Sequence, residues 1–326
     1  MVSLAAIAKL VRLPNLVIIA LTQYAMRYLL MEPLLPSESF TLQFGNFQFG
    51  LLVFSTIMIA AAGYIINDYF DTRTDWINKP QEVVVGIKFS RRMAITLHSI
   101  LNIIGIGIGV YLGFYINIPS LSLIFILATG LLWFYSTNYK RQFLIGNIIV
   151  AFLTAMVPLM VVLFEIPLLN RAYGDIMITR QANFIYMFAW VGAFSYFAFI
   201  TTLIREIIKD AEDFEGDVAF GMKTLPIVLG TKATRAILGV LILLTIASLI
   251  FLLLKYILFS GSKTDFLSLA YFIIFLILPL LALFVIILLA KGKRDYRRAS
   301  VIIKLVMLFG VLYSAVVFYT LNFRML

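Results

Sequence analysis

The sequence predicts an all-α integral membrane protein with nine transmembrane helices and a cytoplasmic N-terminus. Of its 326 residues 63% are hydrophobic and 13% are charged, whereas a soluble domain carries about a quarter charged residues. Apolar stretches recur evenly from residue 11 to residue 321 with no long polar linker between them. Lysine and arginine gather in alternate loops, as they do when basic loops stay on the cytoplasmic side of a membrane.

Each predicted span is a mostly apolar stretch near the length of about 20 residues that crosses the hydrocarbon core of a bilayer. The nine stretches are 11–31, 47–67, 91–115, 119–137, 143–164, 184–205, 234–258, 266–290 and 299–322. We interpret residues 1–326 as a single transmembrane domain with aspartate-rich loops over 67–90 and 205–233.

The first three spans differ in what surrounds them. The first is expected to be retained, because the residues before it lack the apolar core and cleavage site of a secretory signal. The second ends at an acidic cluster that begins at Asn67. The third carries the only histidine, His98, for which we predict a packing or hydrogen-bonding role. Its glycines are predicted to let a neighbouring helix approach closely. They are Gly105, Gly107, Gly109 and Gly113.

The remaining spans complete the topology. A short basic loop with Lys140 and Arg141 joins the fourth and fifth spans, the sixth ends at a second acidic cluster, and the basic loop 291–298 precedes the ninth. With the N-terminus inside, most basic residues lie on the cytoplasmic side, and Lys304 is expected to snorkel towards a membrane surface. The outer side keeps Arg27, Arg171, Arg180, Lys255, Lys263 and Arg324.

Composition also limits the functional classes. The chain has no cysteine, which excludes disulfides, a thiolate nucleophile and a zinc–thiolate site. The net charge of +10 follows from the basic inner loops and suits anionic lipid headgroups. Because the basic residues are divided among short loops, we expect membrane lipids as partners and no nucleic acid.

Two acidic clusters lie at the inner ends of the second and sixth spans. In both, three aspartates are spaced i, i+3 and i+7, which puts them on one helix face over two turns. Like charges stacked this way need a compensating cation. Clustered oxygen ligands without His or Cys suit Mg²⁺, which completes its coordination with water and substrate phosphate oxygens. The clusters comprise Asn67, Asp68, Asp71 and Asp75, and Asp210, Asp213 and Asp217.

Two other interpretations of the acids remain. They could be solvated loop residues paired with Arg73, Lys79 and Lys209, but one spacing repeated at two equivalent helix ends favours a binding site. They could also serve an ion transporter. Transporters place ionisable residues near the membrane midplane on broken helices, whereas these acids lie at cytoplasmic helix ends, which favours an enzyme.

The two motifs resemble those of the UbiA superfamily of intramembrane prenyltransferases. The first reads NDYFDTRTD from Asn67, and the second reads KDAEDFEGD from Lys209, followed by GMKTLP from Gly221. The string RLPN from Arg12 and the residues around the fourth interhelical loop also match. The resemblance implies a nine-helix UbiA-type bundle, in agreement with the nine spans counted above.

The resemblance implies roles for individual residues. The implied metal ligands are Asn67, Asp68, Asp71, Asp75, Asp210, Asp213 and Asp217. The implied diphosphate contacts are Asn67, Arg12, Asn15, Tyr135, Arg141 and Lys223. The implied catalytic residues are Asp71, Asp75, Asp213, Asp217 and Lys140.

The resemblance also implies an activity in isoprenoid lipid biosynthesis. It is the Mg²⁺-dependent transfer of a prenyl group, geranylgeranyl by preference, from its diphosphate to a lipophilic acceptor. The second motif looks closest to the digeranylgeranylglyceryl phosphate synthase branch, whose acceptor is geranylgeranylglyceryl phosphate. An aromatic prenyltransferase of quinone, tocopherol or chlorophyll biosynthesis is the alternative, because such members of the family have related second motifs. The stretch 78–86 departs from the family's usual continuation of the first motif, which leaves the acceptor open. The enzyme is expected in the cytoplasmic membrane with its active site facing the cytoplasm.

Overall fold

The computed structural model describes residues 4–35, 40–78, 80–179, 183–255 and 265–323, which are almost entirely helical. Lys79, Arg180, Lys263 and Arg324 lie outside these ranges. Short 3₁₀ turns cover Pro80–Glu82, Pro119–Leu121 and Tyr139–Arg141, and π-helical segments cover Ala25–Met31 and Phe272–Ile277. The α-helices are α1 (Leu4–Leu10), α2 (Leu13–Tyr24), α3 (Asn46–Asn78), α4 (Arg91–Tyr115), α5 (Ser122–Thr137), α6 (Ile145–Thr179), α7 (Ile185–Glu212), α8 (Phe214–Ala219), α9 (Leu225–Leu253), α10 (Phe266–Tyr271), α11 (Leu278–Leu289) and α12 (Lys293–Phe323).

The all-helical membrane architecture predicted from the sequence is confirmed. Within the described ranges, eight helices are long and apolar enough to cross a membrane, and a bent pair would make a ninth. That pair is α1 and α2 with its π-helical continuation, bent by 63°. The break falls at Arg12, whose backbone is left-handed at φ 52°, and Pro14 lies in the first turn of α2, where proline is well tolerated.

The helices run further than the apolar stretches that predicted them. α3 continues through the first acidic cluster to Asn78, and α7 continues to Glu212. Most of the residues predicted as aspartate-rich loops, 67–90 and 205–233, are therefore helical, and the loop prediction is wrong there. Hydropathy marks where a helix leaves the hydrocarbon, whereas the backbone hydrogen bonding continues until a breaker such as Pro80.

The two acidic clusters differ in backbone structure. Asp68, Asp71 and Asp75 lie on the uninterrupted helix α3, as predicted. In the second cluster α7 ends at Glu212, Asp213 occupies the junction with φ −92° and ψ 11°, and Asp217 lies on α8. The prediction of a single helix face for the second cluster is therefore wrong.

Helix α7 packs into two hydrophobic cores. Met187 and Val191 in its first half belong to a core built with α3, α5 and α6. Ile204 and Ile208 in its second half belong to a core built with α9, α11 and α12. Because each half of α7 is packed in a hydrophobic core, the acidic residues at the end of the helix are held in a defined position.

His98 is a hydrogen-bonding residue of the interior, as predicted. Its Nδ1 lies 2.9 Å from the backbone carbonyl oxygen of Ala62 on α3, and its Nε2 lies 3.1 Å from Asn102 Nδ2. The ring also packs against Trp133 on α5. His98 thus joins three helices, α3, α4 and α5.

Three of the four glycines of α4 allow close helix contacts. A Cβ at Gly105 would lie 2.7 Å from Ile59, one at Gly109 would overlap the ring of Phe125, and one at Gly113 would overlap Ser122. Gly107 differs, because no neighbouring heavy atom of the described ranges lies within 4 Å of the position that a Cβ would take. The predicted role is therefore confirmed for three positions and wrong for Gly107.

We expect Gly109→Ala to lower the free energy of unfolding by about 1–3 kcal/mol, because the new methyl group overpacks against Phe125. Gly107→Ala is the matched control on the same helix: it gives the same gain in helix propensity and meets open space. The midpoints of thermal unfolding in detergent would be compared. Equal midpoints for the two variants would show that the Phe125 contact is not tight.

Candidate active site

A single cavity of about 3060 Å³ contains both acidic clusters in its wall. We call it the central cavity. Its charged end is formed by the ends of α3 and α7 and by the Arg12 break. Its remaining wall is largely apolar and includes Leu131, Trp190 and Phe272. A cavity with one charged end and a long apolar body can hold a ligand with an anionic head and a hydrocarbon tail.

The structure brings most of the predicted site residues together. Every predicted metal ligand lines the central cavity, and so do four further predicted contacts: Arg12, Asn15, Tyr135 and Lys140. Arg141 and Lys223 are exposed and do not belong to the cavity wall. They lie beside each other, because the Lys223 backbone N–H donates to the Arg141 carbonyl oxygen at 2.9 Å.

Arg12 connects the break in the first helix to the first acidic cluster. Its Nη2 donates to Asp68 Oδ1 at 2.9 Å, and its guanidinium lies 5.0 Å from the centre of the Tyr64 ring. Asn15, one turn into α2, donates from Nδ2 to the Tyr64 hydroxyl at 3.3 Å. A left-handed backbone is unfavourable for a residue with a Cβ, and such strain is typical of ligand sites. In this chain the residue with the left-handed backbone is Arg12, which lines the central cavity.

Lys140 and Asn147 connect the loop after α5 and the start of α6 to the aspartates. Lys140 forms an ion pair with Asp71, and Asn147 Nδ2 donates to Asp210 Oδ2 at 2.8 Å. Gly146 permits this approach, since a Cβ there would lie 2.8 Å from Lys140 Cα. Burial and the nearby charge of Lys209 lower the pKa of Lys140 to about 7. A bound anion would favour its charged form.

The two acidic ends carry oxygen donors of the kind that hold Mg²⁺. Among the described residues, no three acidic or histidine side chains are grouped closely enough to hold an ion by themselves. The Oδ1 atom of Asn67 is buried and finds no hydrogen-bond partner within the part of the chain that the structure describes, although this residue lines the cavity. Mg²⁺ typically takes one or two carboxylates and fills its other positions with water and phosphate oxygens. The oxygen donors of both clusters match this requirement.

Three charged residues of α7 also line the cavity, although none of them was predicted as a site residue. They are Arg205, Glu206 and Lys209. Glu206 is buried, and it pairs with Arg205. The sequence did contain a signal for them, because these charged residues lie within an otherwise apolar helix. Ionisable residues in such a helix usually face a cavity or mark a functional site.

Comparison with known protein sequences finds a matching family and several relatives. A sequence model described as the UbiA prenyltransferase family matches residues 36–321. The digeranylgeranylglyceryl phosphate synthase of Korarchaeum cryptofilum is 30% identical over 258 residues, which cover 78% of this chain and 80% of the relative. The protein of the same name from Methanothermobacter thermautotrophicus is 32% identical over 190 residues. That match covers 58% of this chain and only 59% of the relative's length.

Solved structures share the fold. A solved structure described as that of digeranylgeranylglyceryl phosphate synthase in membranes matches this chain with a TM-score of 0.60 and 22% identity. The match covers 96% of this chain and 98% of the other chain. A UbiA homologue from Archaeoglobus fulgidus, solved with GPP and Mg²⁺, has a TM-score of 0.57 and 15% identity, with 95% and 99% covered. At these identities the likeness concerns the fold.

Proposed function

The chain belongs to the UbiA prenyltransferase family, and from this premise we propose that it transfers a prenyl group from its diphosphate to a lipid acceptor with the help of Mg²⁺. The observation that carries the proposal is the central cavity, whose charged end contains two acidic clusters together with Arg12 and Lys140. The rest of its wall is apolar enough for isoprenoid chains.

The metal would be held between the two clusters together with the diphosphate. We assign it to Asn67, Asp71 and Asp75 on α3 and to Asp213 and Asp217 on the α7 side. Asp68 and Asp210, which are hydrogen-bonded to Arg12 and Asn147, are assigned as further ligands or as supports for the others. When bound, Mg²⁺ supplies the Lewis acidity that polarises the diphosphate oxygens.

The chain's own residues bind and orient the reacting groups. Arg12 and Lys140 supply charge-assisted hydrogen bonds to the diphosphate, which takes the electron pair when its bond to the prenyl carbon breaks. The acceptor hydroxyl oxygen forms the new bond to that carbon, and its proton passes to an aspartate of the clusters or to the released diphosphate. The apolar wall excludes water, which would otherwise react with the electron-poor prenyl carbon. Arg141 and Lys223 lie outside the wall, and we assign them to attracting the diphosphate as it approaches the cavity.

We propose geranylgeranylglyceryl phosphate as the acceptor and a geranylgeranyl group as the donor chain. The support is the shared name of the relatives from Korarchaeum and Methanothermobacter, digeranylgeranylglyceryl phosphate synthase. The product would be a lipid with two ether-linked isoprenoid chains.

We further propose a single domain of nine spans with a cytoplasmic N-terminus, in which the bent pair α1 and α2 counts as the first span. The basic residues support this topology, because they concentrate at the end of the bundle that carries the aspartates. The active site would then face the cytoplasm from the cytoplasmic membrane, where the charged substrate head enters.

The proposed function is tested with the purified chain in lipid vesicles, radiolabelled geranylgeranyl diphosphate and Mg²⁺. One sample receives geranylgeranylglyceryl phosphate and the other an aromatic acid as acceptor. We expect label in an ether lipid in the first sample only, loss of transfer when EDTA removes the metal, and recovery with added Mg²⁺. Label in the aromatic product alone would overturn the proposed acceptor, and transfer in EDTA would overturn the role of the metal.

A further inference from the structure

The contact between α7 and α12 places charged side chains in the wall of the central cavity that the proposed chemistry does not use. Arg297, Ser300 and Lys304 on α12 line the cavity. They are spaced i, i+3 and i+7 and thus share one face of the helix. Arg205 and Glu212 on α7 line it too. We call these five residues the α7–α12 seam.

Two contacts establish the register of the seam. Arg297 Nε donates to Glu212 Oε1 at 3.3 Å, and the rings of Phe194 and Tyr313 stack with centres 6.4 Å apart. Residue numbers rise along one helix while they fall along the other, so α7 and α12 are antiparallel. Lys304 follows Arg297 by seven residues, and Arg205 precedes Glu212 by seven residues. The same register therefore places Lys304 beside Arg205.

Lys304 lies inside the predicted ninth span, five residues beyond its start at residue 299, or roughly 8 Å at about 1.5 Å per residue. It is exposed on one side and also lines the central cavity. Ionisable residues within a span usually face a cavity and mark the path of a substrate. The sequence prediction that Lys304 snorkels to the membrane surface did not anticipate its place in the cavity wall.

The seam meets the metal site at Glu212, which directly precedes the proposed ligand Asp213, whereas Arg205 lies on another side of α7 from Asp210. At about 100° per residue, Asp210 points roughly 140° away from Arg205 around α7. Asp210 is bonded to Asn147 on α6, whereas the Arg205 side of α7 faces α12. An anion at the seam would therefore lie beside the diphosphate and would not occupy its place.

The charges of the seam favour an anion. Glu212 and the neighbouring Glu206 pair with Arg297 and Arg205, respectively, and Lys304 adds a third positive charge. Arginine carries five N–H donors, of which an ion pair uses only part. The Nε of Arg205 is buried and has no hydrogen-bond partner among the described residues. A buried donor of this kind is costly unless an acceptor completes it.

We propose that the α7–α12 seam binds the phosphate of the acceptor lipid, with Lys304, Arg205 and Arg297 as its donors and Ser300 as an additional one. This inference rests on the proposed function. In a glycerol monophosphate, the phosphate is attached at the carbon next to the one that carries the reacting hydroxyl. A phosphate held at the seam would place that hydroxyl between the two anion sites, facing the prenyl diphosphate.

Kinetics of the full chain in vesicles test the role of Lys304. We expect Lys304→Gln to raise the KM for geranylgeranylglyceryl phosphate about tenfold, the effect of one lost charge-assisted hydrogen bond, and to change the KM for geranylgeranyl diphosphate less than about twofold. Lys304→Arg should restore most of the affinity. Arg298→Gln is the matched control, because Arg298 is an exposed residue of the same helix outside the described cavity wall. An unchanged acceptor KM in Lys304→Gln would overturn the inference.

Binding without turnover separates this inference from the proposed function. Radiolabelled geranylgeranylglyceryl phosphate would be bound to the full chain in EDTA, without prenyl diphosphate, with neutral geranylgeranylglycerol as competitor. We expect weak competition by the neutral lipid and about tenfold weaker binding by Lys304→Gln and by Arg297→Gln. Selective loss of binding would support the seam even if transfer to this acceptor failed. Equal binding by the wild type and both variants, or equal affinity for the neutral lipid, would overturn it.

Discussion

Asp71→Ala and Asp213→Ala are each expected to lower prenyl transfer by about a thousandfold or more, because each removes an anionic oxygen ligand from one side of the proposed metal site. Asp71 lies on the continuous helix α3, and Asp213 lies at the junction of α7 and α8, so the two variants test the two clusters separately. Transfer would be measured at saturating Mg²⁺, and the binding of labelled prenyl diphosphate would be measured beside it.

Glu215→Ala is the matched control for this loss of activity. Glu215 lies between Asp213 and Asp217 in the sequence, is exposed, and does not belong to the described wall of the central cavity. We expect its turnover to stay within about twofold of the wild type, as for most surface substitutions. Asp71→Asn is included because it keeps an oxygen that can accept a hydrogen bond from Lys140, which Asp71→Ala does not. Turnover within tenfold of the wild type in Asp71→Asn or Asp213→Ala would contradict the two-cluster site.

Glu165→Gln is expected to lower the free energy of unfolding by about 3–5 kcal/mol, since it leaves the buried charge of Arg27 uncompensated. Arg27 Nη1 donates to Glu165 Oε2 at 2.7 Å, and their side chains are 3% and 1% exposed. Glu165 Oε1 also accepts the backbone N–H of Phe44 at 3.0 Å. The pair therefore joins the π-helical end of the first helix, the segment before α3, and α6.

A double variant separates the buried charge from the packing. Arg27→Met combined with Glu165→Gln removes both charges and keeps an oxygen that can accept the Phe44 N–H. We expect the double variant to recover most of the lost stability, with a coupling energy of about 1–3 kcal/mol or more. Glu32→Gln, at an exposed position near Arg27, is the control with an expected change below about 0.5 kcal/mol. Unfolding would be followed by circular dichroism in mixed micelles. Additive losses in the double variant would show that the two charges do not stabilise one another.

Much of the fold followed from local properties of the sequence. A stretch of about 20 apolar residues predicts a membrane span without knowledge of its neighbours, because the backbone must satisfy its hydrogen bonds within the segment. The helix ends were less accurate, as α3 shows by continuing to Asn78. Apolarity ends at the membrane surface, whereas helical hydrogen bonding does not.

The kind of ligand that the candidate site would bind could also be predicted from short stretches of the sequence. Two clusters of carboxylates in a chain without cysteine and with one histidine indicate a hard cation, whatever their arrangement. The spacing of Asp68, Asp71 and Asp75 predicted their shared helix face, but the break at Asp213 left no comparable signal. The residue types thus indicated the ligand class, and the precise backbone at the second cluster required the structure.

The sequence by itself indicated a helical membrane protein with two acidic clusters whose oxygen donors suit a hard cation. Only the tertiary structure decided that Arg12 contacts Asp68, that Asn147 contacts Asp210, and that Lys304 shares the cavity wall with Arg205. It also left Arg141 and Lys223 outside that wall. The physical reason is that apolarity and residue chemistry belong to one segment, whereas a contact depends on the rotation and register of two packed helices.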